Sequence, residues 1–339
     1  MKPDRTMIAI DLDLDRPGLQ FGKLRLPHSV HRSAYGHIPI PIAVAANGEG
    51  PTVLLTGGVH GDEYEGPIAL SRLAREIDIT RVSGRIIIVP MLNQPAFVAG
   101  TRVSPIDGIN LNRIFPGQRN GTATEMIAHY VTTELLPRAD LLIDLHAGGS
   151  SLQYLPTLLA PRWSDPDKAA RVEALVTAFG AENVIYFDSV RALSGEDRVI
   201  GNYAHQSDVD FLTGEFGGGS TVNINGLAMA EKGVRGVLAH LGVLPADEPA
   251  AAQSGPTRRL TMDDPGLYAF ADRRGFFEPK FELGQTLGKG EVAGLIHDID
   301  DPWSPPVAVH FRSGGIAVCV RTLSLVEAGD CLGHLASEI

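Results

Sequence analysis

The sequence predicts an α/β protein whose largely parallel sheet is flanked by helices, followed by a small all-β domain. Three observations support this prediction. Over residues 1–245, apolar strand-like runs alternate with amphipathic stretches, the pattern of a parallel sheet covered by helices. Residues 246–257 contain two prolines among Ala, Asp, Glu, Ser and Gly, which is typical of a linker. From 258 to 339, helical periodicity gives way to short alternating runs rich in Gly, Val and Leu.

The first predicted elements are two β-rich runs at 38–45 and 52–56. They flank Asn47-Gly48, a dipeptide that favours tight turns because both residues tolerate positive φ. We therefore expect the chain to enter the fold through a hairpin. After the second run, residues 67–77 carry apolar side chains at helical spacing, so that a strand, a loop and a helix follow one another.

Continuous aliphatic runs predict further buried strands at 85–90 and 141–145. Residues 209–216 are another strand candidate. Helices are predicted at 124–136 and 227–241, where apolar residues share one face.

The C-terminal domain contains a weak internal repeat. Each half is expected to form a strand, a turn and a return strand, because glycines recur at matching offsets. The matching positions are Gly275-Phe276, Gly290 and Gly294-Leu295-Ile296 in the first half, and Gly315-Ile316, Gly329 and Gly333-His334-Leu335 in the second.

The composition excludes several classes of protein. The 29 basic and 40 acidic residues give a net charge of −11, which repels phosphate backbones and anionic lipid, so no nucleic-acid or membrane partner is expected. No apolar run approaches the ~18 residues of a membrane helix. Residues 1–12 lack the features of a signal peptide, so we expect a cytoplasmic location. The two cysteines, Cys319 and Cys331, are too few for a disulfide framework and are expected to be small buried residues.

The strongest chemical signal is His60-Gly61-Asp62-Glu63 together with His146, each following a predicted strand. Loops at the carboxyl ends of parallel strands converge, so two imidazoles and a carboxylate can meet there. Such a set is typical of catalytic zinc, which polarises carbonyls and lowers the pKa of a bound water to about 7. Either histidine alone is more often a simple hydrogen-bonding residue, and the prediction depends on finding both.

Two acidic residues accompany these ligands. Asp62 competes with Glu63 as the carboxylate ligand, and we favour Glu63 because a three-residue offset returns its longer side chain to the side of His60. Asp144 lies two residues before His146 and so points to the same side of the strand. It either orients the ligand or is an ordinary acid at a strand end.

The loop from Gly100 to Gly117 contains Arg102, Asn112 and Arg113 among many turn residues. An arginine matches a carboxylate bidentately, and an arginine beside a metal can stabilise an oxyanion. A surface ion pair is the alternative for each of these arginines.

Glu215 ends a predicted strand immediately before Phe216 and three glycines. Amide hydrolysis needs a group that takes a proton from water and returns it to the departing amine, and one glutamate can do both. A structural acid is the alternative, but glycines allow a ligand to approach closely. The remaining histidines that we weighed are expected to be solvated or satisfied core residues: His129, His240, His297, His310 and His334.

The chain order of these residues resembles the succinylglutamate desuccinylase/aspartoacylase family, which is related to the zinc carboxypeptidases. The resemblance runs through most of the chain. Within the family, the motifs are most similar to deacetylases of N-α-acetyl-L-2,4-diaminobutyrate in ectoine degradation. These motifs are His60-Gly-Asp-Glu-Tyr-Glu-Gly-Pro67, Ser104-Pro-Ile-Asp107, Asn110-Leu-Asn-Arg-Ile-Phe-Pro-Gly117 and Gly214-Glu-Phe-Gly-Gly-Gly219.

The resemblance implies a zinc carboxypeptidase-like fold and a zinc-dependent N-deacylase that removes the acetyl group from this substrate. It implies one zinc ion held by His60, Glu63 and His146, with Glu215 as the general base and acid. It also implies that Arg102 polarises the scissile carbonyl and that Asn112 and Arg113 bind the substrate carboxylate.

The C-terminal repeat is similar to biotinyl/lipoyl-type domains, although no Met-Lys-Met-like hairpin joins its halves. Three alternatives to the deacetylase remain at this stage: a deacylase of another N-acyl amino acid, of the succinylglutamate or N-acetylaspartate type; a carboxypeptidase; and a non-catalytic metal-binding scaffold. The expected partner is a small-molecule N-acyl amino acid, and the sequence leaves open whether the chain forms a homo-oligomer.

Overall fold

Helices cover both faces of a large mixed sheet in the computed structural model, which describes residues 6–188, 198–247 and 256–339. The strands of the first part are β1 (Ala9–Ile10), β2 (Gly18–Pro27), β3 (His37–Asn47), β4 (Thr52–Gly57), β5 (Gly84–Val89), β6 (Leu141–His146), β7 (Leu152–Tyr154), β8 (Thr157–Pro161), β9 (Asn183–Phe187) and β10 (Asp210–Glu215). The helices are α1 (Glu65–Glu76), α2 (Gln94–Ala99), α3 (Ala123–Tyr130), α4 (Pro166–Phe179), α5 (Ile200–Gln206) and α6 (Ile224–His240). Single 3₁₀ or π turns lie at Ile79–Arg81, Leu111–Arg113, Val131–Leu135 and Leu136–Arg138.

Residues 258–339, here called the C-terminal unit, contain only strands and one 3₁₀ turn, Pro265–Leu267. The strands are β11 (Arg258–Thr261), β12 (Tyr268–Phe270), β13 (Gly275–Pro279), β14 (Thr286–Leu287), β15 (Val292–His297), β16 (Val307–His310), β17 (Gly315–Arg321), β18 (Leu325–Val326) and β19 (Cys331–Glu338). The small β region predicted after the linker is therefore confirmed.

The centre of the large sheet is parallel, in the order β5-β4-β6-β10. Strands β4, β5 and β6 each carry a run of aliphatic residues because both faces of the sheet are covered by other elements. Helices α1, α4 and α6 pack over a core on one face, while α3 and α5 cover the other. The predicted strands that became β5, β6 and β10 are confirmed, as are the helices that became α1 and α6.

The predicted hairpin around Asn47-Gly48 is wrong. Strand β5 lies between β3 and β4, pairing antiparallel with β3 and parallel with β4. The Asn47 side chain does not close a tight turn but donates to the carbonyls of Ile79 and Val82. The antiparallel partner that precedes β3 in the chain is β2, so the sheet is more mixed than predicted.

The two halves of the glycine repeat each form an antiparallel pair, β13 with β15 and β17 with β19. The large sheet nevertheless continues into the C-terminal unit, because β11 pairs parallel with β9 and antiparallel with β19. Most of the predicted linker, residues 248–255, lies outside the described residues, and the two-domain division stays a prediction. No helix in the three described stretches is both long and apolar enough to cross a membrane.

Candidate active site

The candidate site lies where three parallel strands end together. Gly57 at the end of β4 is level with Leu145, and Glu215 at the end of β10 is level with His146. The loops that leave β4, β6 and β10 therefore start at one edge of the sheet. This convergence, which the sequence predicted from the order of strands and loops, brings the candidate residues together.

The loop after β4 turns tightly to present His60 and Glu63. Gly61 donates from its backbone nitrogen to the carbonyl of Thr101, 3.0 Å away. A Cβ atom at Gly61 would lie 2.0 Å from the backbone of Ala96, so only glycine allows this loop to pass so close to α2. The helix α1 then begins at Glu65, two residues after Glu63.

His60, Glu63 and His146 form a buried group whose ligand atoms all lie within 4.8 Å of one another. The Glu63 carboxylate lies between the two imidazoles. Its Oε1 is 2.7 Å from His60 Nδ1 and its Oε2 is 2.9 Å from His146 Nδ1. The Ala147 backbone nitrogen donates to Oε2 at 3.0 Å, which fixes the carboxylate in place.

The donors and acceptors of this group fit a bound cation. His60 Nε2 is 3.1 Å from Asn110 Oδ1, and His146 Nε2 is 2.7 Å from Asp144 Oδ2. Neutral imidazoles that donate from Nε2 to these oxygens present Nδ1 lone pairs to the Glu63 carboxylate. Acceptors that face one another at such distances need either a proton or a metal cation between them. Outer oxygens that orient imidazoles are also typical of metal-ligating histidines.

The charges of the cluster shift its acid–base equilibria. Burial lowers the pKa of His60. Burial also acts to lower the pKa of His146, but the charges of Asp144 and Glu63 outweigh it and raise that pKa well above the ordinary value. Burial raises the pKa of Glu63, yet the two imidazoles outweigh this effect and hold it below its usual range. The electrostatics of the cluster therefore keep the Glu63 carboxylate ionised and stabilise positive charge around it.

The two acidic residues near the ligands take different positions. Asp62 turns away from the cluster, and its Oδ2 accepts from the Ser150 backbone nitrogen at 2.6 Å, which ties together the loops after β4 and β6. Asp144 Oδ1 accepts from the Thr56 hydroxyl at 2.6 Å while its Oδ2 faces His146. Of the two roles weighed for Asp144, the contacts match the one in which it orients the imidazole.

The arginine loop, residues 100–113, reaches the cluster from one side. Arg102 Nη1 lies 3.3 Å from His60 Nδ1 and 3.6 Å from Glu63 Oε1, and the side chain keeps 42% exposure. It is therefore held at the cluster yet remains accessible to a ligand.

Both polar atoms of the Asn112 side-chain amide make contacts. Its Nδ2 lies 3.5 Å from His146 Nε2, and its Oδ1 accepts from the Ile200 backbone nitrogen at 2.9 Å. The neighbouring Arg113 donates to the Asn112 carbonyl at 2.8 Å. Roles for these residues in substrate binding stay predictions.

Glu215 stands beside His146 on the adjacent strand. Its Oε2 is buried and has no hydrogen-bond partner within the described part of the chain. Burial, with the negative charge of Glu63, raises the pKa of Glu215 to about 8. A carboxyl group that holds a proton near neutral pH is suited to general acid and base chemistry.

Sequence reasoning missed two residues that complete this region. Asn110 faces His60, and its position two residues before Asn112 in the same loop was the available signal. Tyr154 packs beside the glycines after Glu215 through pairing of β7, which no local pattern reveals because β7 has only three residues. The five histidines expected to lie outside the site are not part of the cluster.

Comparisons with known proteins identify relatives of the chain. Residues 49–241 match the succinylglutamate desuccinylase/aspartoacylase catalytic domain. The chain is 36% identical over 332 residues to the N-α-acetyl-L-2,4-diaminobutyric acid deacetylase of Halomonas elongata, covering 98% of this chain and 95% of that protein.

Two solved structures share the whole fold. The product-bound ectoine utilization protein EutE (DoeB) from Ruegeria pomeroyi is 38% identical with a TM-score of 0.91, covering 98% of this chain and 99% of that one. The succinylglutamate desuccinylase/aspartoacylase from Rhodobacter sphaeroides is 37% identical, with the same TM-score and coverage. Matches of this extent decide the family: the chain belongs to the succinylglutamate desuccinylase/aspartoacylase family.

Proposed function

We propose that the protein is a zinc-dependent deacetylase that releases acetate from N-α-acetyl-L-2,4-diaminobutyrate, as in ectoine degradation. The observation that carries the proposal is the meeting of the His60, Glu63 and His146 ligand atoms with Glu215 on the adjacent strand. The choice of substrate is supported by the full-length similarity to the Halomonas elongata deacetylase.

His60, Glu63 and His146 would hold one zinc ion per chain, since two imidazoles and one carboxylate are a common catalytic zinc set. When bound, zinc supplies Lewis-acid chemistry, polarising a carbonyl oxygen and making water a stronger acid. Asn110 and Asp144 would keep the two imidazoles oriented through their Nε2 atoms.

Glu215 carries the proton in this proposal. Its Oε2 takes a proton from the water that attacks the acetyl carbonyl, and the same carboxyl then gives the proton to the departing amine nitrogen. The raised pKa suits both steps, because the group can hold and release a proton near neutral pH. Arg102 donates from its guanidinium to the carbonyl oxygen as negative charge develops there.

Asn112 and Arg113 would bind the substrate carboxylate. Both residues belong to the 3₁₀ turn Leu111–Arg113. This turn lies beside the cluster, since the Asn112 amide nitrogen is 3.5 Å from His146 Nε2. A guanidinium matches a carboxylate bidentately, whereas an amide adds one donor.

Two further parts of the proposal lie outside the site. The C-terminal unit is proposed to resemble a biotinyl/lipoyl-type domain, on the support of its two paired strand repeats. A cytoplasmic location is supported by two free cysteines, which suit a reducing compartment.

The test is a mass-spectrometric screen of N-acyl amino acids with zinc-loaded and chelated protein. We expect acetate from N-α-acetyl-L-2,4-diaminobutyrate with the zinc-loaded form only, and much less from the N-γ-acetyl isomer. Turnover of N-acetylaspartate or N-succinylglutamate instead would show a different N-acyl specificity. One zinc per chain without turnover of any substrate would show a metal-binding scaffold and overturn the enzyme.

A further inference from the structure

Strand β7 connects the C-terminal unit to the site. On one side it pairs antiparallel with β17, placing Tyr154 level with Cys319. On the other side it contacts Gly217–Gly219, here called the glycine segment, which begins two residues after Glu215. Tyr154 donates from its backbone nitrogen to the Gly217 carbonyl at 2.9 Å.

The glycine segment is pressed closely against β7. Gly219 donates to the Leu152 carbonyl at 3.0 Å. Gly218 has φ of +143°, and a Cβ atom there would lie 2.0 Å from the same carbonyl oxygen. The segment can therefore adopt this path only as glycine, and its position is set by β7.

The Tyr154 side chain is anchored in the C-terminal unit. Its hydroxyl lies 3.1 Å from His334 Nε2, and the two rings meet edge to face with centroids 5.4 Å apart. His334 is 3% exposed, and burial lowers its pKa to about 4, so the imidazole is neutral. The phenol is thus held by a neutral imidazole of the C-terminal unit, and Cys319 is level with Tyr154 on the paired strand β17.

Tyr154 is linked to both sides of Glu215 in the chain and the sheet. Its backbone nitrogen bonds Gly217, two residues after Glu215, and Thr157, three residues after Tyr154, is the register partner of Glu215 on β8. The pKa of Tyr154 is raised well above its ordinary value, mainly by burial and further by the charges of Cys319 and Glu215. Since Glu215 Oε2 has no hydrogen bond to the described residues, packing must set the position of this carboxylate.

We propose that Tyr154 is a positioning residue for Glu215, and that His334 of the C-terminal unit anchors Tyr154 for this role. The inference rests on the proposed function, because it assigns Glu215 to the reaction. It also gives the C-terminal unit a part in catalysis, although none of its residues lies in the metal cluster. Loosening the anchor should leave the metal group intact while misplacing the carboxyl that carries the proton.

The test compares wild type with Tyr154→Phe, which removes only the hydroxyl, and with His334→Asn. We expect kcat to fall about tenfold in Tyr154→Phe, with KM changed less than about twofold and zinc content unchanged. If both residues act through one anchor, the double variant should be no slower than the slower single variant. Tyr268→Phe is the matched control, because the Tyr268 ring also packs on His334, 5.0 Å away, but belongs to β12. It should retain wild-type kcat.

A kcat of Tyr154→Phe equal to wild type, or losses that multiply in the double variant, would overturn the proposal. Crystal structures provide a readout that needs no substrate: the Glu215 carboxylate and the glycine segment should shift or lose order in Tyr154→Phe. If wild type fails to deacetylate the substrate, the proposed function fails, and these structures still decide the role of Tyr154. An unmoved Glu215 in the variant would then refute it.

Discussion

Like Asp62 and Glu65, Glu215 has a buried carboxylate oxygen without a partner among the described residues, and it lies beside His146 on the adjacent strand. Replacing it by Gln keeps the shape of the side chain but removes the proton carrier. We expect Glu215→Gln to lower kcat by at least about 100-fold, the usual contribution of a general acid or base. The measurement is acetate release at saturating substrate.

The control for this prediction is zinc content together with the melting temperature of the variant. Both should stay close to wild type, because Glu215 is not among the three clustered ligand residues. Retained turnover in Glu215→Gln would remove this residue from the mechanism.

His334 makes a second prediction at the residue scale, on the pH dependence of stability. Burial lowers its pKa from 6.5 to about 4 in the folded chain. Above pH 6.5 the imidazole is mostly neutral in both the folded and the unfolded chain, so it does not lower the free energy of unfolding. As the pH falls from 6.5 to 4, the unfolded chain binds a proton that the folded chain excludes, so the free energy of unfolding drops by about 3 kcal/mol in total.

Urea titrations at pH 7.5 and 4.5 measure this loss. His334→Asn should lose less stability than wild type between the two pH values, since it has no imidazole to protonate. His31→Asn, which replaces an exposed histidine, should follow wild type. Equal losses in wild type and His334→Asn would contradict the prediction.

At the scale of elements, the arginine loop depends on its attachment to α3. Asp107 accepts from both the backbone nitrogen and the hydroxyl of Thr124, each at 2.8 Å. Thr124→Val removes the buried hydroxyl while preserving shape. We expect a loss of about 1–2 kcal/mol in the free energy of unfolding and a several-fold rise in KM, because the loop carries Arg102 and Asn112.

A matched control exists elsewhere in the chain. Thr80 also bonds an aspartate, Asp78, through its backbone nitrogen and its hydroxyl, but the pair is exposed and distant in sequence from the arginine loop. Thr80→Val should leave KM unchanged. If both variants raise KM equally, the attachment of the arginine loop to α3 is not the cause.

At the scale of the whole molecule, one sheet joins the two parts of the chain. Strand β11 pairs with β9 and β19, and a small apolar cluster that includes Ile185, Leu260 and Val318 fills the junction. Because these contacts would be lost if either part unfolded alone, we expect a single calorimetric transition. Leu260→Ala should lower that transition as a whole, since Leu260 is fully buried.

Two separate transitions in wild type would show instead that residues 1–245 and 258–339 fold independently. Two transitions in Leu260→Ala but a single one in wild type would show that the junction couples the two parts.

Local sequence patterns predicted most of the elements around the site. The strand that ends at His146 is largely aliphatic, and a buried parallel strand has this appearance wherever it lies in the sheet. The strand that ends at Glu215 has fewer apolar residues, with only Phe211 and Leu212 as large ones. The hairpin at Asn47-Gly48 was wrong because pairing depends on distant partners. The turn signal was real, but β5 takes the place between β3 and β4 only in the assembled sheet.

The sequence by itself predicted the kind of chemistry. His60, Glu63, His146 and Glu215 are candidate site residues because of their side-chain types and their positions after or at the ends of buried strands. The tertiary structure alone decided which groups surround them. Asn110 at His60 and Tyr154 beside the glycine segment are brought there by contacts between residues far apart in the chain. Such contacts leave no periodicity in a single sequence, because they form only when the sheet closes around the site.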